Sequence, residues 1–123
     1  LATALKDGSL STTHVLSVIV EVCTSNHFSR RHDSARYLSL YRKVETSLLE
    51  QVGGRVRVLR NELPSGEGFE PRAGAFEIYV EWMGRDSNPK AVVIFSKLDT
   101  HRYPHPSNIC LRIKSVLGLE LAT

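Results

Sequence analysis

Cys23 and Cys110 are the two thiols of the chain and its candidates for covalent chemistry. A cysteine reacts as the thiolate, which a helix N-terminus or a nearby cation stabilises. A lone thiol of that kind can carry a glutathione cap or form a mixed disulfide. Two cysteines build no disulfide framework, and such sparse usage points to a reducing compartment. Cys23, His27 and His32 put three metal-ligand side chains into one short stretch, but the spacing fits no zinc module and a fourth ligand is missing. No metal and no other cofactor is therefore expected. His101 and His105 stand four apart, yet Pro104 and Pro106 prevent a shared helical face, so they read as solvated loop histidines. Glu77 and Glu81 alternate onto one strand face, where paired carboxylates could exchange protons. The plainer reading has them facing solvent or pairing with arginines of neighbouring strands or loops. The sequence holds no Ser–His–Asp order, glycine-rich phosphate loop or P-loop motif.

The cations form a second group. Arg30, Arg31 and Arg36 gather around a loop and the start of the helix that follows, with Arg42 and Lys43 further along it. Arg55, Arg57 and Arg60 fall on the next strand, expected at a sheet edge, where charge deters edge-to-edge pairing. The same basic edge permits contact with RNA phosphates or with an acidic protein surface. Aromatic residues interleaved for base stacking are not evident, which argues against sequence-specific RNA reading.

The elements that would position these residues follow from periodicity. Residues 1–13 are small and polar and read as an arm. Residues 15–22 are almost all apolar or β-branched, as in a strand covered on both faces. Asp33 or Ser34 can cap a helix. Tyr37, Tyr41, Val44, Leu48 and Val52 recur at helical spacing, with Leu38, Leu40 and Leu49 widening the stripe. Gly53 and Gly54 stop it. A strand over 55–60 follows, with Val56 and Val58 pointing one way, then a loop over 61–73. Phe76, Ile78, Val80 and Trp82 alternate with Glu77, Tyr79 and Glu81 in a third strand. A turn-rich link over 84–89 leads to a fourth, buried-looking strand over 91–95, making an antiparallel hairpin. Residues 97–105 read as a loop. Pro106 suits a first helical turn, Ile109, Ile113, Val116 and Leu117 make a buried stripe, and Gly118 closes the helix.

The order β-α-β-β-β-α implies an α/β fold with a parallel crossover between the first two strands. The expected product is a four-stranded mixed sheet in the order 2-1-3-4 with two helices, on one face or one on each. With 123 residues, 41% apolar and 24% charged, the chain suits a single domain over 14–118, with residues 119–123 as a tail. A net charge of +3 is mildly basic and permits an acidic or nucleic-acid partner. No apolar run approaches the ~20 residues of a membrane span. Secretory-signal features are absent at the start, and the expected location is intracellular, in cytoplasm or mitochondrion.

Three segments narrow the fold. Gly74-Ala75-Phe76-Glu77-Ile78, Val93-Ile94-Phe95-Ser96-Lys97 and His101-Arg102-Tyr103-Pro104 resemble, in that order, the Gly-x-Phe-Glu-Val, Phe-Ser-Lys and Gly-Arg-Phe-Pro signatures of the selenoprotein T/W/H (Rdx) family. The resemblance covers about 15–118 and implies a thioredoxin-like domain. Each segment also has a plain structural role available: a strand start, a core aromatic, a solvated strand end, a proline stop. In that family a Cys-x-x-Cys or Cys-x-x-selenocysteine motif follows the first strand. Cys23 matches its first position, and Asn26 stands at its second. Asparagine attacks no disulfide, so the two-thiol cycle cannot close there. Residues 26–32 are also an insertion relative to the family's immediate helix start, which separates Cys23 from the helix dipole. Cys110 is expected to pack or to face outward rather than to resolve a disulfide. The resulting expectation is a non-catalytic thioredoxin-like binding or scaffold domain. It would be a structural subunit of a larger assembly such as a ribosomal or cytoskeletal particle, with other protein subunits as partners. The alternative is a monothiol redox protein or thiol sensor using Cys23.

Overall fold

The computed structural model describes residues 16–23, 34–84 and 86–122. Strand β1 (Leu16–Val22) is buried along its whole length. It is followed by α1 (Ser34–Gln51), a 3₁₀ turn (Gly53–Arg55) and β2 (Val56–Arg60). Strands β3 (Phe76–Met83) and β4 (Pro89–Ser96), the short α2 (Lys97–Thr100) and α3 (Pro106–Ala122) complete the order. The sheet runs β2-β1-β3-β4, with β1 parallel to β2 and the other pairs antiparallel. This is the expected mixed sheet of a thioredoxin-like α/β fold.

Alternation along β1 and β3 decides the layers. Val18, Val20 and Val22 meet Phe76, Ile78 and Val80 on one face, in a single apolar cluster with Tyr37, Tyr41, Val44 and Leu48 of α1 and Ile109, Cys110 and Ile113 of α3. Both long helices therefore lie on the same face. The opposite face also carries buried residues, Ser17, Ile19, Glu21 and Glu77. The segment between β2 and β3 reaches it: Arg57 Nε donates to Ser17 Oγ at 3.0 Å and its Nη2 to the Pro64 carbonyl at 3.2 Å. Asn61, with φ +53°, continues the β1–β2 ladder by its side chain. Its Oδ1 accepts from Val22 N at 2.8 Å and its Nδ2 donates to Val22 O at 3.0 Å.

Several expectations are corrected. The run 91–95 is not a buried strand. β4 lies at the sheet edge with one neighbour, so Val92 and Val93 are exposed, Val93 by 63%. A β-bulge opposite Ile78 and Tyr79 supplies one extra residue and leaves Ile94 buried in the core. The segment 97–105 is not wholly loop, because Ser96 caps α2 by accepting from Asp99 N. Gly118 does not close the last helix; α3 continues to Ala122, at the modest local cost a helical glycine carries. Leu49 lies 51% exposed, on the flank of the stripe rather than in it. The helix stop after Gln51 stands as expected, with Gly53 at φ +74°.

Candidate functional site

Cys23 sits one residue past β1, where its N–H donates to the Ala75 carbonyl at 3.0 Å. The residue is fully buried and belongs to the main apolar cluster. Gly74 makes this approach feasible: its φ of +72° turns the chain into β3 at the point where a side chain would strain the backbone. Phe76, next along, pairs in register with Val22 and is also fully buried. Cys110, in the first turns of α3, is buried in the same cluster. It is a packing residue, and burial pushes its thiol above the ordinary value, with Lys114 opposing weakly. Cys23 and Cys110 are not joined in a disulfide. α1 begins at Ser34, well beyond Cys23 in the chain. Asn26, His27, Arg30, Arg31, His32 and Asp33 lie outside the described residues. Among the described residues no group of three His, Cys, Asp or Glu side chains could hold a metal ion.

The three segments that carry the family resemblance converge beside this cysteine. Tyr37, on the first turn of α1, donates its hydroxyl to the Gly74 carbonyl at 3.2 Å. Its ring meets Phe76 and Tyr103 edge-on, at centroid distances of 6.2 and 5.7 Å. The Lys97 ammonium lies 5.5 and 5.3 Å from the Tyr37 and Tyr103 rings and 3.5 Å from the Gly74 carbonyl oxygen. The Arg36 guanidinium covers Tyr103 at 4.0 Å. A cation over an aromatic face is held by the ring quadrupole. These contacts lock α1, the turn into β3 and the segment before α3 together. The structural reading of Phe76 and Tyr103 therefore accounts for both residues.

A second cluster, on the other face of the sheet, was not legible as a site. Glu21 and Glu77 are cross-strand partners, and both are buried. Arg72 donates to Glu21 from its backbone N–H at 2.7 Å and from Nη2 at 2.9 Å, and the same Nη2 lies 3.8 Å from Glu77. Tyr79 donates to Glu21 at 3.1 Å. Burial pushes the Glu21 carboxyl up, but the bonds from Arg72 and Tyr79 and the charge of Arg72 outweigh it and hold the group below its ordinary value of 4.5. The Tyr79 hydroxyl is pushed up to about 12 by burial and by Glu21. Glu77 accepts from Lys97 N at 2.9 Å, from Leu98 N at 3.1 Å and from the Ser96 hydroxyl. Ser96 and Lys97 are thus not a solvated strand end; they begin a helix whose N–H groups a buried carboxylate holds. Glu77 takes the arginine-paired option, from the loop residue Arg72. The signal for Glu21 was its being the lone acid in an apolar strand.

The strand arginines are separated. Arg57 is engaged with Ser17 and Pro64, while Arg60 stands over the Tyr41 ring at 5.5 Å on the helix side. Arg55 is half-buried in the 3₁₀ turn. His101 and His105 are exposed. No described helix is long and apolar enough to cross a membrane.

Against known proteins, the family model described as the Rdx family matches residues 17–115. A solved structure, the selenoprotein W-related protein from Vibrio cholerae, superposes with a TM-score of 0.54 at 12% identity, covering 84% of this chain and 98% of that one. No curated protein matches the chain. The chain belongs to the Rdx family, and the structural likeness supports the same fold.

Proposed function

We propose that this Rdx-family domain is a non-catalytic binding module, a structural subunit that joins a larger assembly, rather than a dithiol oxidoreductase. The observation that carries this reading is the state of Cys23: fully buried, inside the apolar cluster, with the only other cysteine of the chain also serving as core. A thiol without access to water cannot meet a disulfide substrate, and a resolving thiol two residues on is absent from the sequence. What remains of the site, the interlock of Tyr37, Gly74, Lys97 and Tyr103, is a packing device.

The rival reading is a monothiol redox protein or thiol sensor. It is favoured by one feature: Cys23 lies at the C-terminal end of the central strand β1, flanked by β2 and β3, the position where open α/β sheets place ligands. Alkylation of the native protein separates the two. Slow reaction at Cys23, accelerating with urea, together with co-purification of partner proteins from native cells, is the expected outcome. Reaction at the rate of free cysteine, with glutathione-linked turnover lost in Cys23→Ser, sinks the proposal.

A further inference from the structure

The outward face of α1 has a composition that neither the fold nor Cys23 explains. Ser39, Arg42, Lys43, Thr46 and Ser47 fall at helical spacing on one face and, with Pro106 opposite, line a shallow open groove of about 500 Å³. Ser39 and Lys43 also line a neighbouring depression of about 240 Å³ that extends to Arg36 and Tyr103. Among the described residues no carboxylate lines either one; Glu50 stands at the far end of the stripe, and Glu45, beside it, accepts from the Tyr41 hydroxyl at 3.3 Å. Arg42 and Lys43 are exposed and have no hydrogen-bond or ion-pair partner among the described residues. The basic edge expected on β2 is dispersed, whereas on this face of α1 two exposed cations, Arg42 and Lys43, stand side by side.

The geometry points to this groove as a docking surface for the backbone of double-stranded RNA. This rests on the reading of the domain as a binding module. Arg and Lys neutralise phosphates, and Ser and Thr hydroxyls are frequent partners of phosphate and sugar oxygens. Ser39, about a turn before the two cations, and Thr46 and Ser47, about a turn after them, offer groups that both donate and accept, the complement of a 2′-hydroxyl. Duplex RNA is recognised through its 2′-hydroxyls and phosphates across the shallow minor groove. Single-stranded partners need open aromatic faces on which bases stack, but among the described residues the ring that lines these depressions, Tyr103, is capped by Arg36 and abutted by Tyr37. An acidic protein would want an apolar anchor at the centre of the contact. The centre here is hydroxyls and cations.

Fluorescence anisotropy of the full 123-residue chain tests this with a labelled RNA duplex, the DNA duplex of the same sequence and a poly-glutamate peptide. The RNA duplex is expected to bind several-fold more tightly than the DNA duplex, and the peptide least. Arg42→Gln with Lys43→Gln should weaken RNA binding about 10-fold and lower the salt slope by about 2, one for each phosphate contact. Arg55→Gln with Lys90→Gln removes the same charge elsewhere and should leave both unchanged. Melting by circular dichroism checks that each variant folds. Equal losses in the two double variants, DNA binding as tight as RNA, or preference for the peptide overturns the proposal. A chain that binds no RNA yet co-purifies with protein subunits overturns this inference alone, whereas glutathione-linked turnover by Cys23 overturns the reading beneath it.

Discussion

Glu21 on β1 and Glu77 on β3 stand directly opposite each other, both buried, and share the guanidinium of one arginine, Arg72. Like charges facing each other across an antiparallel pair are destabilising by themselves. Here the pair persists because Arg72 and Tyr79 serve Glu21 while the N–H groups of α2 serve Glu77.

Arg72→Ala leaves two buried carboxylates without their cation. The Arg72 side chain is 62% exposed, so solvent screens part of its charge. The expected loss is about 2 kcal/mol, below the usual cost of breaking a fully buried pair. The midpoint of urea unfolding should fall at unchanged slope.

The pH dependence of that loss has a definite sign. Glu21 is held below 4.5 in the folded chain. Its contribution is therefore present above that value and is lost as pH falls through the lower folded one. In Arg72→Ala the cation's offset is gone and burial raises the same carboxyl. The variant's penalty should then be largest near neutral pH and shrink towards about pH 4. Urea midpoints of both proteins across that range check it; a gap that widens in acid contradicts the account.

Asn61→Ala removes both side-chain bonds to Val22 and leaves a positive φ without the residue type that tolerates it. The expected cost is about 2 kcal/mol. Asn61→Gly relieves the backbone but not the lost bonds, and should recover only part of the stability in thermal melts.

Two apolar substitutions separate core from flank. Phe76→Ala opens a cavity at a fully buried ring and should cost about 3–5 kcal/mol. Leu49→Ala, at a half-exposed side chain, should change stability by less than about 1 kcal/mol. A loss at Leu49 as large as that expected at Phe76 would contradict the orientation of α1.

The outer edge of β4, which no described strand pairs, belongs to a strand with exposed Val92 and Val93. Val93→Lys should leave the melting temperature nearly unchanged while suppressing concentration-dependent aggregation on partial unfolding. Light scattering during a thermal ramp reads this directly.

The fold was legible because its signals are local and periodic. The apolar run of β1, the four-residue recurrence from Tyr37 to Leu48 and the alternation from Phe76 to Trp82 each specify an element and its buried face. The position of Cys23 followed from the end of the first run. Glu21 was not singled out, because an acid within an apolar strand acquires meaning only from Arg72, 51 residues away in a loop with no period. Exposure of β4 was hidden for a related reason. Ala91-Val92-Val93-Ile94 reads the same at a sheet's centre and at its edge, and only the neighbour count tells them apart. The spread of Arg57 and Arg60 to opposite faces was written in their spacing; the commitment of Arg57 to Ser17 and Pro64 was not.

Strand β1 finds its hydrogen-bonding partners late. Its register pairs it with β2 about forty residues downstream and with β3 further still, at Phe76–Met83. During synthesis at about 5–20 residues per second, Leu16 to Val22 would wait for several seconds as an apolar segment with neither edge satisfied. The strand that organises the finished sheet is therefore the one that stays longest without its strand partners while the chain is being made.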